Sequence, residues 1–165
     1  MRRTLVAVLA LAVCSGLIGL PRAFAQVPIG DVYLFERAGA GGTSVTAVAD
    51  ENFVSGGGGL TWSCLDGAPT LILTTTWLGR AFRARVRFAF GDGEPSETQA
   101  WILMTNGMAV RAPEDVVEPF TRGALEARRV TVQVTDYQFR RYSYVFRVAG
   151  LAEALGRLPC RPAGS

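Results

Sequence analysis

Histidine and lysine are both absent from this 165-residue chain, so all 17 of its basic side chains are arginines. Without histidine there is no Ser-His-Asp or Cys-His arrangement, no imidazole general base and no imidazole metal ligand. Cysteine is scarce, three residues in all, and no two stand in the C-x-x-C spacing of a redox-active dithiol. Nucleophile elbows and phosphate-binding loops are missing too. No metal and no cofactor are therefore expected. Acids are absent from the first 25 positions, where Arg2, Arg3 and Arg22 lie. The basic character of the whole chain, pI about 9.1, comes from that segment. The remainder carries fourteen arginines against fourteen acids, which removes the charge argument for a nucleic-acid or anionic-lipid partner.

What is present at the amino end is an export signal. Arg2 and Arg3 precede an uncharged apolar run from Leu5 to Leu20, Pro21 stops it, and Ala23-Phe24-Ala25 puts small residues at the two positions a signal peptidase reads. Residues 1–25 are read as a signal peptide cleaved before Gln26. The competing readings are an uncleaved anchor, for which the run is slightly short, and lipidation at Cys14, where Val13 is too large for the position before the modified cysteine. The Arg2-Arg3 pair lacks the polar-aromatic pattern of the twin-arginine route. The location implied is periplasmic or secreted, with no stable membrane span after cleavage. Only Cys64 and Cys160 then remain, and in an oxidising compartment they are expected to form one disulfide. It would close a loop of about 96 residues, for which the chain-entropy model gives about 4.5 kcal/mol.

Beyond Gln26 the apolar period is two rather than 3.6. Short strands are read at Asp31–Glu36, Ser44–Ala49, Leu60–Cys64, Thr70–Thr76, Arg83–Phe90, Ala100–Met104, Met108–Val110, Val130–Val134 and Arg141–Val148. Glycine runs at 39–42 and 56–59 read as linkers, and Asn106-Gly107 as a hairpin turn. The AWILM segment is apolar on both faces, so Trp101 and Ile102 are both expected to be buried. Two stretches change period. Pro119 fits the first turn of a helix beginning near Glu118, with Val116, Phe120, Ala124 and Ala127 on one face. Gly150–Leu158 reads as a second short helix covering Leu151, Ala154, Leu155 and Leu158. The fold class predicted is mainly β: an antiparallel β-sandwich or half-barrel with two short helices and one disulfide. Residues 26–59 supply N-terminal strands and a Gly-rich linker, and 60–165 the core of the same single domain.

The alternation is cleanest at Arg83–Phe90, which sets Arg83, Arg85 and Arg87 on the face opposite Ala84, Val86, Phe88 and Phe90. Such a row is either a solvated sheet face, paired with acids or stacked on aromatics, or an anion-binding ladder. Arg129, Arg141 and Arg147 also take outward positions. Trp62 and Trp101, at alternating strand positions, read as core, whereas Trp77 and Tyr137 lie beside loops and read as exposed. The candidate binding surface is thus Arg83, Arg85, Arg87, Trp77 and Tyr137. Asp66, Asp92, Glu94 and Glu97 could form a glycosidase-type carboxylate pair, but all sit in turns where carboxylates are solvated. No catalytic residue is assigned, and the chain is not expected to be an enzyme.

The order of features resembles the VasI/TagO family of periplasmic proteins associated with type VI secretion. The resemblance spans about residues 31–160. It rests on Trp62-Ser63-Cys64-Leu65-Asp66-Gly67, the threonine-rich strand after it, and the strand closing in Val86-Arg87-Phe88-Ala89-Phe90-Gly91-Asp92-Gly93. Trp101, the Pro119, Phe120, Leu125 and Ala127 segment, Phe146-Arg147-Val148-Ala149-Gly150-Leu151 and a final alanine-leucine helix ending at Cys160 complete it. It implies an accessory role with an envelope protein partner and no catalytic residue. The family's Arg-x-Asp is replaced here by Phe88-Ala89-Phe90. A periplasmic carbohydrate-binding or hydrolase-inhibiting module is the alternative.

Overall fold

The computed structural model describes residues 25–36, 42–50 and 57–160; the leader up to residue 24, with Ala23, and glycines 39, 41 and 56 lie outside the described residues. Ten strands occur among them: β1 (Ala25–Ile29), β2 (Val32–Glu36), β3 (Thr43–Val48), β4 (Gly59–Leu65), β5 (Ala68–Thr74), β6 (Arg83–Phe90), β7 (Gln99–Leu103), β8 (Ala109–Arg111), β9 (Arg129–Thr135) and β10 (Arg141–Arg147). The helices are α1 (Glu114–Glu126) and α2 (Leu151–Leu155). Every strand pairs antiparallel within one sheet of order β1-β2-β3-β4-β5-β8-β7-β6-β9-β10. This is the mainly β, two-helix, disulfide-linked class that the alternation implies. The sheet curls far enough for the end of β3 to meet the last strand: Ala49 bridges Phe146, and the Asp50 amide donates to the Val145 carbonyl at 2.8 Å.

Curling creates a concave side, and α1 fills it. Phe120 is fully buried and its ring is the common neighbour of Trp62 on β4 at 6.3 Å, Phe88 and Phe90 on β6 at 4.8 and 5.5 Å, and Trp101 on β7 at 6.1 Å. Burying a side chain of this size contributes about 1.5–3 kcal/mol. The plug is also aligned by a polar contact that water cannot supply there. The Trp62 indole N–H donates to Thr121 Oγ1 at 3.0 Å, and that hydroxyl donates to the Val117 carbonyl at 2.7 Å. The buried tryptophan nitrogen is thereby satisfied.

Helix α2 covers the other end of the core, burying Leu151, Ala154 and Leu155 against β1, β2 and β3. Its entry is a left-handed Gly150, φ +85°, where a Cβ would run into the Ile29 carbonyl, so only glycine fits this approach. The Asp31 amide donates to the Ala149 carbonyl at 2.8 Å across the same junction. The Cys64–Cys160 disulfide, Cα–Cα 5.8 Å, ties the segment after α2 to β4, as the cysteine count implies.

Four readings are corrected. Strand β1 is absent from the expected set because Pro28 interrupts its pattern; it is an edge strand, where a missing ladder donor is tolerated. Helix α1 starts at Glu114, four residues before Glu118, with Glu114 and Asp115 suiting the positive end of the helix dipole. Pro119 therefore lies inside it, on the exposed side, and Ala127 falls outside the helix. The glycine run is not all linker: Gly59 opens β4 opposite Val48 and Thr74, and Gly58 is buried with the Tyr144 ring where a Cβ would stand. Finally, Ile102 is 38% exposed. Its register neighbours are Arg83 and Arg111, whose aliphatic stems can shelter an apolar side chain on an outward face.

Candidate functional site

The strand register decides which loops meet. Thr74 lies opposite Ala109, Arg83 opposite Ile102, and Thr135 opposite both Arg85 and Arg141. The loops β5–β6, β7–β8 and β9–β10 therefore emerge at one end of the sheet. They are joined by backbone hydrogen bonds: the Leu78 amide donates to the Gly107 carbonyl at 2.7 Å, Tyr137 to Leu78 at 3.3 Å, and Leu103 to Phe82 at 2.9 Å. Gly107, at φ +66°, is where a Cβ would strike the Gly79 carbonyl and the Trp77 indole, so the Asn106-Gly107 turn also seats Trp77.

This end presents large apolar side chains to solvent. Trp77 is 45% and Tyr137 50% exposed, as their loop positions imply, while Phe82 at 92% and Phe139 at 73% are more exposed still. Met104 and Met108 of the β7–β8 turn join them. Trp77 and Tyr137 pack edge to face at 5.4 Å. Arg85 lies over the Phe139 ring, 5.7 Å from its centroid, within cation–π range. A 170 Å³ depression lined by Leu78, Arg83, Arg85, Tyr137 and Phe139, among others, joins the start of the arginine row to the aromatic group. Four of the five candidate residues, Trp77, Tyr137, Arg83 and Arg85, thus share one surface. Arg87 does not; it sits further along β6, its Nε donating to the Ser96 carbonyl at 3.2 Å. No acid pairs with Arg83, Arg85 or Arg87 among the described residues, so of the pairings expected for a solvated row only aromatic stacking, at Arg85, occurs.

Phe82, Phe139, Met104 and Met108 escaped the sequence reading, and so did the residue that shapes the Phe139 loop. Asp136 is buried. Its Oδ1 accepts from the Gln138 and Arg140 amides at 2.8 and 2.9 Å, and its Oδ2 from Arg140 Nε at 2.8 Å and the Tyr142 hydroxyl at 3.2 Å. This knot holds Phe139 at a left-handed φ of +63° with its ring outward. The available signal was an Asp followed by a four-residue polar-aromatic turn between two alternating strands. Burial pushes the Asp136 carboxyl upward, but the Arg140 side chain, the two amides and the Arg140 charge outweigh it and hold the group below its ordinary range. Burial also pushes the Tyr142 hydroxyl up. A depressed carboxylate stabilises the fold fully above its unfolded value of about 3.9 and loses that contribution as pH falls through its folded value. The stability gap between wild type and Asp136→Asn should therefore be widest at neutral pH and shrink below about pH 4. Denaturant midpoints at pH 7 and pH 3 test this, and a gap independent of pH would refute it.

The acids of the carboxylate reading, Asp66, Asp92, Glu94 and Glu97, are all exposed in turns or loops, and Asp92 is paired with Arg129. No group of three metal-ligating side chains occurs among the described residues.

A single curled antiparallel sheet with an internal helix and a loop-built aromatic end defines the class of protein. No family model matches the chain, and no curated protein does. Among solved structures it is similar to that of invasion associated protein B from Bartonella henselae, with TM-score 0.55 and 11% identity over 81% of this chain and 94% of that one. At that identity the likeness speaks to the fold.

Proposed function

We propose that this chain is an exported, disulfide-linked binding protein of the bacterial envelope, with no reaction of its own, that docks a protein partner at its aromatic end. One observation carries the reading: Trp77, Phe82, Tyr137 and Phe139, from loops up to 62 positions apart, are exposed together beside unpaired arginines. Trp, Tyr and Arg are the side chains that dominate interface energetics, and an apolar patch built and held this deliberately costs solubility unless something covers it. Export is supported by the leader and by the disulfide; no described helix is long and apolar enough to cross a membrane. The VasI/TagO resemblance supports a narrower form, an accessory factor of type VI secretion.

A photoactivatable crosslinker placed at Phe139 in the exported protein, in intact envelopes, tests it. A discrete protein adduct is expected, absent when the probe stands at Arg122 on α1. Phe82→Asp should cut its yield at least tenfold, the scale of a hot-spot loss of about 2 kcal/mol, without moving the denaturant midpoint, because that ring is almost wholly exposed. A secretion component in the adduct supports the narrower form. A glycan adduct instead would favour the carbohydrate-binding alternative, and equal labelling from both positions would refute a docking end.

A further inference from the structure

The outer face of β6, β9 and β10 carries a second feature that the aromatic end does not absorb. Arg85, Arg87, Thr98, Gln133, Thr135 and Arg141 line a concavity of 310 Å³. The register explains how they meet: Arg85 and Arg141 flank Thr135 on either side, and Arg87 lies opposite Gln133. With strands about 4.8 Å apart, the two flanking arginines stand about 10 Å from each other, and Arg87 is about 7 Å along β6. Guanidinium groups on stems of this length can converge on one anion held over Thr135.

The same strands show what the fold does with an arginine it neutralises. Arg129 on β9 and Arg147 on β10 are paired with Asp92 and Asp50, and Arg140 in the loop between them with Asp136. Arg85, Arg87 and Arg141 have no acid within ion-pair distance among the described residues, and no carboxylate lines the concavity. Arg87 is steadied by the Ser96 carbonyl and Arg85 by the Phe139 ring, so two of the three forks are oriented while their terminal nitrogens stay available. Three like charges without counter-charge repel one another, and an oxyanion relieves that repulsion with bidentate, charge-assisted hydrogen bonds. Around them the Thr98 and Thr135 hydroxyls and the Gln133 amide offer both donors and acceptors, the complement of sugar hydroxyls.

We propose that this concavity binds a saccharide unit bearing an oxyanion, a phosphate or a carboxylate, gripped by Arg85, Arg87 and Arg141. The site shares Arg85 and Thr135 with the depression at the docking end, so Arg87 and Arg141 are the residues to change. Calorimetric titration of the mature protein with glucose 6-phosphate, glucuronate, glucose and inorganic phosphate distinguishes the sources. At least one of the two charged sugars should bind tenfold or more tightly than glucose and than inorganic phosphate. Arg87→Gln with Arg141→Gln should weaken that binding at least tenfold while the denaturant midpoint and the Phe139 crosslink are retained. Glucose 6-phosphate alone binding identifies phosphate as the anion, and glucuronate alone a carboxylate; both binding identifies the shared oxyanion chemistry. Inorganic phosphate binding as well as either charged sugar would overturn the saccharide component. No binding of any probe, or binding unchanged in the double variant, would overturn the site.

Discussion

Phe120→Ala should lower the stability of the domain by about 3–5 kcal/mol, the usual range for deleting a fully buried phenyl ring. The upper half of that range is expected because of what surrounds the ring. Trp62, Phe88, Phe90 and Trp101 reach Phe120 from β4, β6 and β7, and strands locked in a hydrogen-bonded ladder cannot move inward together to fill the void. The Trp62–Thr121 hydrogen bond one residue on also depends on the helix staying seated. Phe120→Leu keeps most of the volume and should cost clearly less. Denaturant midpoints with near-ultraviolet circular dichroism, which reports the tryptophan environment, measure both. A loss below about 1 kcal/mol for Phe120→Ala would mean that α1 does not plug the sheet.

Cys64→Ser and Cys160→Ser should each cost about 2–5 kcal/mol, a large share of the 5–15 kcal/mol a domain of this kind has to lose. The two single variants should match, and the double variant should be no worse than either, because all three remove one bond. What the bond protects is specific. Helix α2 has five residues, too few to persist alone, and it closes the core beneath β1, β2 and β3 with Leu151 and Leu155. Cys160 also donates its amide to Cys64 Sγ at 3.1 Å. Loss of the bond should thus expose the β1–β2 hairpin to proteolysis before the rest of the sheet. Thiol titration of the oxidised chain from Gln26 onward should find no free thiol; two free thiols would refute the pairing.

The sequence by itself determined the local facts. Period-two alternation in Arg83–Phe90 and Arg141–Val148 set which side of each strand is buried, since a pleated strand has only two faces. Counting cysteines, once Cys14 is assigned to the leader, was enough for the bridge, and the Leu151, Ala154 and Leu155 spacing for the covering helix, although the helix ends at Leu155 and the buried Leu158 follows in a turn. Those signals lie within a few residues of each other or follow from arithmetic. Only the tertiary structure decided the rest. Ile102 looked buried because its segment is apolar throughout, but whether the second face of β7 is covered depends on what packs outside it, and there Ile102 stays partly exposed beside Arg83 and Arg111. Strand β1 exists because an edge position forgives Pro28, and no local pattern states which strand is an edge. Gly58 is buried because Tyr144, 86 positions later in the chain, lies against it. Above all, Trp77, Phe82, Tyr137 and Phe139, and likewise Arg87 and Arg141, became neighbours through the register of β5 to β10. Register is a long-range property, fixed when the curled sheet buries its apolar faces around Phe120, and no spacing along the chain encodes it.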